Sequence, residues 1–218
     1  PLRSSRRTSW PGPVSWPRPG TGAWEPPGGG RPDYKRPARK PGTKPPAVYS
    51  TANNGPYQAA RSLAVLHLQK KFYFYPYAHA TKSTLKDELI IGAGSGNDVS
   101  VALSEGAQHI DAVEIDPDLI NVGRDFHPEH PYQNPKVTAH IADGREYLQS
   151  TSKTYNLILC ALPDSLTALA GQSSLRLEGY LLTEQSVAQA RTRLAPGGSF
   201  SMYNYYQPFL LARYASTI

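Results

Sequence analysis

The sequence predicts an α/β fold with a doubly wound, mostly parallel sheet, and three observations support that class. From residue 88 onward, apolar runs of strand length alternate with segments of helical periodicity. A glycine-rich turn follows the first of these runs, and an Asp-Pro pair follows the second. Strands that alternate with helices in this way lie side by side, so we expect parallel pairing with right-handed crossovers.

The regular elements can be placed in order along the chain. The predicted strands cover residues 88–91, 109–114, 136–141, 155–161 and 199–203. The predicted helices are 97–105, one that Asp116 caps with Pro117 in its first position, one from Thr183 to the Pro-Gly-Gly at 196–198, and 207–216. An antiparallel hairpin after the fifth strand is missing from this prediction, so we expect a truncated domain with an unpaired sheet edge that a partner could cover.

The segment before residue 88 is less regular. Residues 59–71 have a loose helical pattern, and the aromatic run FYFYPY at 72–77 predicts either a short strand or a cover for a pocket or for the core. Of these, covering the core is the preferred interpretation. We therefore treat 47–87 as a lead-in and 88–218 as the main domain.

Residues 1–46 have a different composition from the rest of the chain. They hold 12 of the 21 prolines, 7 of the 18 glycines, and ten Lys/Arg against two acids. Such a segment buries too little apolar surface to fold, so a disordered, solvated tail is predicted rather than a specific nucleic-acid or membrane contact. The remaining residues hold 13 Lys/Arg against 15 acids, so the high overall isoelectric point does not describe the folded part.

Composition also excludes some classes of protein. Cys160 is the single cysteine, which rules out an internal disulfide and fits a reducing, cytoplasmic compartment. No run of about 18 apolar residues is present, and no signal peptide is visible, so no membrane span is expected in this chain.

The most specific motif is the segment 89–98, LIIGAGSGND, in which a strand runs into a glycine turn and then a helix. Glycines allow the tight turn and let a ligand lie against bare backbone. The second strand ends in Glu114, 20 residues after Gly94, where a carboxylate can accept hydrogen bonds from both ribose hydroxyls. This spacing predicts a nucleoside site in a Rossmann-like domain.

The identity of the nucleoside follows from a departure in the motif. Asn97 stands where a dinucleotide-binding loop needs its third small residue, which disfavours NAD, because NAD brings its pyrophosphate close to the helix. S-adenosylmethionine has no phosphate and tolerates Asn97. An NAD-type site and a turn without a ligand both remain open alternatives.

A second acidic residue lies on the same predicted edge of the sheet. Asp143 follows the third strand, and its carboxylate can accept a bond from the adenine amino group. Capping of the short helix that follows, at 145–149, is an equally simple explanation, and one residue can do both.

Together these segments resemble the spermidine synthase family, a branch of the class I methyltransferase-like fold. The resembling segments are VEIDP at 113–117, DGR at 143–145, LPDS at 162–165, YLLTE at 180–184 and LAPGG at 194–198, with a short match, NGPYQ, at 54–58. The likeness covers about 88–210 well and 1–46 not at all. It looks closest to the spermidine synthase-like branch attached to bacterial membrane segments, which this chain lacks.

The resemblance implies a transferase that uses S-adenosylmethionine or its decarboxylated form, with a polyamine or an unknown small molecule as acceptor. It assigns cofactor contacts to Gln58, Gly92, Gly94, Ser95, Gly96, Glu114, Ile115, Asp143 and Gly144, and a catalytic role to Asp164. Family members transfer an aminopropyl group to putrescine with two carboxylates, for which this chain has Ser95 and Ala161. A loop-ordering role for Asp164 is an equal alternative.

Three functions therefore stay open: aminopropyl transfer, methyl transfer to an unknown acceptor, and nucleoside binding without catalysis. Ser95 in place of an acid favours the carboxylated donor. Cys160 is expected in the core, and His127 with His130 in a solvated loop rather than at a metal. Arg176, on a predicted lid, could bind a carboxylate substrate or be exposed.

Overall fold

The central sheet contains five parallel strands in a computed structural model that describes residues 47–52, 55–78, 84–161, 181 and 183–203. The strands are β1 (Ala47–Ala52), β2 (Gly55–Arg61), β3 (Asp87–Ile91), β4 (His109–Glu114), β5 (Val137–Ile141), β6 (Tyr155–Ala161) and β7 (Leu194–Tyr203). The helices are α1 (Leu63–Gln69), α2 (Asn97–Glu105), α3 (Pro117–Phe126), α4 (Gly144–Ser150) and α5 (Glu184–Thr192), and 3₁₀ helices cover Lys71–Tyr77 and Pro131–Gln133.

The strand order is β5-β4-β3-β6-β7, and β1 and β2 form a separate antiparallel hairpin. The chain builds outward from β3 to β5 and then returns to add β6 and β7 on the other side of β3. The point where the order reverses lies between β3 and β6, and such switch points form crevices at the carboxyl ends of the strands. Among the described residues, β5 and β7 are the outer strands of this sheet.

The core has two parts, one on each face of the sheet. Ile90 of β3 packs in one apolar cluster with Val99 of α2. Its neighbours Leu89 and Ile91 face the opposite side of the sheet, where they pack with Leu148 of α4. Burial of β3 on both faces explains why it is an apolar run rather than an alternating strand. Because the first six residues of α2 are also buried, the loop between β3 and α2 sits on a fixed base.

The predicted α/β class is confirmed, and several boundaries agree with the structure. Strands 109–114 and 155–161 and helix 97–105 match the observed bounds. Asp116 caps α3, accepting a bond of 2.9 Å from the Asp118 amide, and Pro117 is the first helical residue. Thr183 caps α5 in the same manner.

The start of the fifth parallel strand was placed too late. Strand β7 begins at Leu194 rather than at residue 199, and it includes the Pro-Gly-Gly that was expected to precede it. A register shift near Tyr155 accommodates these residues. Gly198 allows the approach, because a Cβ there would lie 2.7 Å from the Tyr155 carbonyl oxygen.

The lead-in is more ordered than its sequence indicated, and one prediction within it was wrong. Residues 59–61 belong to β2 rather than to a helix, and α1 begins only after Ser62, whose hydroxyl accepts from the Val65 amide. The aromatic run forms a 3₁₀ helix, and burial of Tyr73 and Tyr77 agrees with the interpretation that it covers the core. The tail 1–46 and the helix predicted at 207–216 lie outside the described residues.

None of the described helices has the length and apolarity that a membrane crossing requires.

Candidate functional site

The glycine loop between β3 and α2 adopts backbone conformations that favour glycine. Gly94 has φ +54° and Gly96 has φ +95°, both in the left-handed region. A Cβ on Gly94 would overlap the side-chain amide of Gln58, and a Cβ on Gly96 would lie 2.6 Å from Cγ of Pro131. The two glycines are therefore required both by dihedral angle and by close contacts.

Three side chains from other elements hold this loop in place. The Glu114 carboxylate accepts from the Gly94 amide at 2.8 Å, and the Gln58 side-chain oxygen accepts from the Ser95 amide at 2.7 Å. The Tyr132 hydroxyl donates to the Gly94 carbonyl at 2.6 Å. The structure thus brings together Gln58, the glycines and Glu114, which the sequence named from segments about 20 to 40 residues apart.

Glu114 ends β4 and is buried, with its second carboxylate oxygen accepting from the Asp116 amide at 3.0 Å. Burial raises the pKa of this carboxyl, and the amide hydrogen bonds from Asp116 and Gly94 oppose that rise. Each oxygen keeps a further lone pair, so a carboxylate fixed in this way can still accept from a neighbouring hydroxyl.

Apolar side chains stand exposed beside this carboxylate. Ile115 follows Glu114 and is 51% exposed, and Ile141 pairs with Glu114 across β4 and β5 and is 63% exposed. Large aliphatic groups at a strand end, next to a fixed polar group, are typical of a ligand-binding crevice. These are among the most exposed large apolar residues in the described part of the chain.

Asp143 follows β5 on the same edge of the sheet and caps α4. Its Oδ1 accepts from the amides of Arg145 and Glu146 at 2.9 and 3.0 Å. The capping alternative is therefore correct. Gly144 is buried, and a Cβ at this position would overlap the side chain of Ile91. This close packing sets α4 against the end of β3, one strand over from Glu114.

The other half of the edge, at the ends of β6 and β7, differs in its polar groups. Ala161 ends β6, is buried, and pairs with Tyr203 of β7. Ser95 is also buried, and its hydroxyl has no hydrogen-bond partner among the described atoms. Neither position therefore carries a carboxylate.

One acidic residue in this half was not singled out in the sequence. Asp98, in the first turn of α2, is buried and accepts a hydrogen bond from the Tyr203 hydroxyl. Burial raises the pKa of the Asp98 carboxyl to about 8. The available signal was an acidic residue in the first turn of the predicted helix 97–105, directly before Val99 on its apolar face.

The histidine loop is not solvated in the way the sequence indicated. His127 is fully buried, and its ring nitrogens lie 3.3 Å from the Asn97 side-chain oxygen and 3.3 Å from a Glu129 carboxylate oxygen. Burial, together with the nearby His130, lowers the pKa of His127 to about 4. His127 therefore connects the loop to α2 through Asn97. Among the described residues, no cluster of three or more His, Cys, Asp or Glu side chains could hold a metal ion.

Cys160 lies within β6 and is buried, and burial raises the pKa of its thiol to about 12. This agrees with a core position rather than with a nucleophile. Asp164 and Arg176 lie outside the described residues.

Residues 75–210 match the family model described as the spermine/spermidine synthase domain, which is more than half of the chain. The chain belongs to this family. The match includes the glycine loop, Glu114, Asp143 and the segment with Asp164.

Curated relatives carry names that agree with the family. The chain is 30% identical over 122 residues to polyamine aminopropyltransferase 2 of Bacillus cereus, covering 53% of this chain and 31% of that protein. It is 34% identical over 83 residues to the polyamine aminopropyltransferase of Clostridium perfringens, covering 37% and 29%. The matched part is therefore about a third of the length of these relatives.

Solved structures show the same fold. Spermidine synthase from Thermotoga maritima superposes with a TM-score of 0.54 at 17% identity, over 78% of this chain and 57% of that one. Human methyltransferase-like protein 13 in complex with SAH gives a TM-score of 0.51 at 18% identity, over 69% and 70%.

Proposed function

We propose that this chain is the donor-binding domain of an aminopropyltransferase that uses decarboxylated S-adenosylmethionine and a polyamine acceptor. The carrying observation is Glu114, a buried carboxylate that is fixed by two backbone amides next to the glycine loop. Membership of the spermine/spermidine synthase family and the names of the curated relatives support the reaction type.

Glu114 would bind the ribose. Both of its oxygens are oriented by amide donors, and the remaining lone pairs can accept from two adjacent hydroxyls. Hydrogen bonds to an ionised acceptor contribute more than neutral ones, about 1.5–3 kcal/mol each. At Gly94 the absence of a side chain lets the Gln58 amide group lie directly against the loop, beside the proposed donor site.

The adenine would lie between the exposed aliphatic groups of Ile115 and Ile141, with its amino group toward Asp143. Covering two side chains that are 51% and 63% exposed removes apolar surface from water, which favours binding by about 25 cal/mol per Å². Asp143 uses Oδ1 for its capping bonds, so the cap and an adenine contact are compatible.

The transferred group would extend toward the ends of β6 and β7, where Asp164 follows. The reaction joins an amine nitrogen of the acceptor to the carbon next to the sulfonium, and the C–S bond breaks with its electrons going to sulfur. Asp164, three residues after Ala161, is the residue we assign to positioning the acceptor. Positioning two reactants on one rigid edge accounts for much of the catalysis expected of such a site.

Methyl transfer from S-adenosylmethionine itself is the second candidate function. The observation in its favour is Ser95, because a hydroxyl next to the donor tail repels a carboxylated donor less than an acid would. In this case the same nucleoside contacts hold the donor, and the acceptor is a different small molecule.

Product analysis by mass spectrometry tests the proposal. The full chain is incubated with putrescine and either donor, and the products are compared with those of Glu114→Gln and Asp118→Asn. Asp118 is exposed in α3 and serves as the charge-matched control. We expect an acceptor that gains an aminopropyl group from the decarboxylated donor, except with Glu114→Gln. Methylated products alone would favour the second candidate, and a folded chain that makes neither product would contradict both.

A further inference from the structure

The carboxyl ends of the parallel strands form one edge of the sheet, which we call the binding edge. The carboxyl groups on this edge differ in their hydrogen-bond partners. Glu114 is held by two amides, and Asp143 caps α4; both lie at the ends of β4 and β5. Asp98 reaches the other half of the edge from the first turn of α2, where the Tyr203 hydroxyl donates to it. Tyr203 pairs with Ala161, so Asp98 is one side chain away from the end of β6.

Aromatic rings lie around the same tyrosine. Phe72 and Tyr73 stack with centroids 4.5 Å apart, and the Tyr203 ring meets them edge-on at 5.5 and 6.0 Å. A carboxyl group next to several aromatic rings is the combination that recognises an alkylammonium ion, through charge and through cation–π attraction. Phe72 and Tyr203 keep part of their surface exposed.

A second polar group in this region lacks a partner. The Ser95 hydroxyl, three residues before Asp98 on the same turn, is 1% exposed and has no hydrogen-bond partner among the described residues. Buried hydroxyls are usually satisfied, so an unsatisfied one in the glycine loop favours a hydrogen-bond partner supplied by a ligand.

We propose that Asp98 is the carboxylate that binds the acceptor's ammonium group and receives its proton in this chain. The proposal rests on the aminopropyl transfer proposed above and specifies a primary alkylamine as acceptor. The ammonium transfers one proton to Asp98, and the free amine then forms the C–N bond as the C–S bond breaks. The products are a neutral thioether nucleoside and a secondary ammonium, and Asp98 returns its proton to solvent.

The protonation of Asp98 is suited to this role. With its pKa raised to about 8, Asp98 is largely protonated at pH 7 in the free protein, and an ammonium placed beside it would favour the ionised form. The ionisable groups that interact with Asp98 include Tyr77 and Tyr132, whose own pKa values burial raises well above their usual range. These tyrosines stay neutral, so binding of an ammonium at neutral pH releases the proton of Asp98 itself.

Calorimetry of the full chain tests this inference. The chain is first saturated with 5′-methylthioadenosine, a step that tests the nucleoside site separately. Putrescine is then titrated at pH 7 in two buffers of different ionisation enthalpy, which gives the number of protons released. We expect about one proton per putrescine in the wild type.

Asp98→Asn should bind putrescine at least tenfold more weakly and release no proton. Glu88→Gln is the matched control, because Glu88 is also a buried carboxyl that accepts from a tyrosine, Tyr77, but lies near the amino end of β3. It should bind and release as the wild type does.

Two results would overturn the proposal. One is a nucleoside-loaded wild type that takes up putrescine without releasing a proton, a measurement that requires no variant. The other is a folded Asp98→Asn, checked by circular dichroism, with wild-type affinity and proton release. Failure to bind the nucleoside in the first step would instead contradict the proposed function.

Discussion

The two halves of the binding edge achieve polarity in different ways. At the ends of β4 and β5, Glu114 and Asp143 are satisfied by backbone amides and stand beside exposed isoleucines. At the ends of β6 and β7, the strands supply Ala161 and Tyr203, and the carboxyl group comes from Asp98 on α2. The first half is built by strand ends and turns, which a sequence reveals, whereas the second is built by tertiary contact.

The largest effect should come from the first half. Glu114→Gln keeps one acceptor oxygen but turns an NH₂ donor toward the other backbone amide, so one loop hydrogen bond and the proposed ribose contact are lost. We expect nucleoside affinity to fall at least 100-fold, which corresponds to about 2.7 kcal/mol. Asp118→Asn should retain wild-type affinity in the same titration, and an equal loss in both variants would remove Glu114 from the site.

Asp98, in the second half, should make the free energy of unfolding depend on pH. The pKa of Asp98 is about 8 in the folded chain and about 3.9 in the unfolded chain. The stability that protonated Asp98 provides is therefore fully present below pH 4 and is lost as the pH rises to 8. Relative to Asp98→Asn, the wild type should lose up to about 1.4 kcal/mol per pH unit in this window. Urea unfolding at several pH values measures the difference.

Glu88→Gln provides the comparison for that series. Burial raises the pKa of Glu88 to about 7. The pH range over which Glu88 lowers the stability should therefore end about one pH unit below that of Asp98. Parallel stability curves for wild type and Asp98→Asn would show that Asp98 is not a buried, protonated acid.

Glycine substitutions separate backbone conformation from contact in the first half. Gly94 and Gly197 both have positive φ, but a Cβ on Gly197 meets nothing within 4 Å, whereas one on Gly94 overlaps Gln58. Gly197→Ala should cost about 1 kcal/mol of unfolding free energy, and Gly94→Ala about 1–3 kcal/mol more. Equal losses in thermal or urea unfolding would contradict the packing of Gln58 against the loop.

The smallest effect should come from the exposed isoleucines beside Glu114. Ile141→Thr removes aliphatic surface from a side chain that is 63% exposed, so stability should change little while nucleoside affinity falls about fivefold. Leu68→Thr is the control, because Leu68 is 80% exposed on α1 and is not part of this edge. Unchanged affinity in Ile141→Thr would place the adenine elsewhere.

Periodicity and capping residues were enough to predict most of the sheet. Strand 109–114, helix 97–105 and the start of α3 at Pro117 follow from local signals that the tertiary structure does not oppose. The hairpin of β1 and β2 was missed because its strand 55–61 lacks a strong alternation and depends on its antiparallel partner. The early start of β7 depends on Gly198 and the Tyr155 backbone, a contact with no local signature.

The residues of the candidate site likewise fall into those that local sequence predicts and those that only the fold brings together. Glu114 and the glycines were predicted because strand end, turn and helix follow one another in sequence. Asp98, Tyr203 and Phe72 could not be grouped from sequence, because they come from α2, β7 and a 3₁₀ helix that meet only in the fold. His127 was assigned to solvent for the same reason, since its partner Asn97 lies 30 residues away.

The most direct test of this account is calorimetric titration of the full chain with decarboxylated S-adenosylmethionine and, separately, with S-adenosylmethionine. We predict saturable binding of one nucleoside per chain with preference for the decarboxylated form, as the proposed aminopropyl transfer requires. A folded chain that binds neither nucleoside would contradict the assignment of Glu114 and the glycine loop as a donor site.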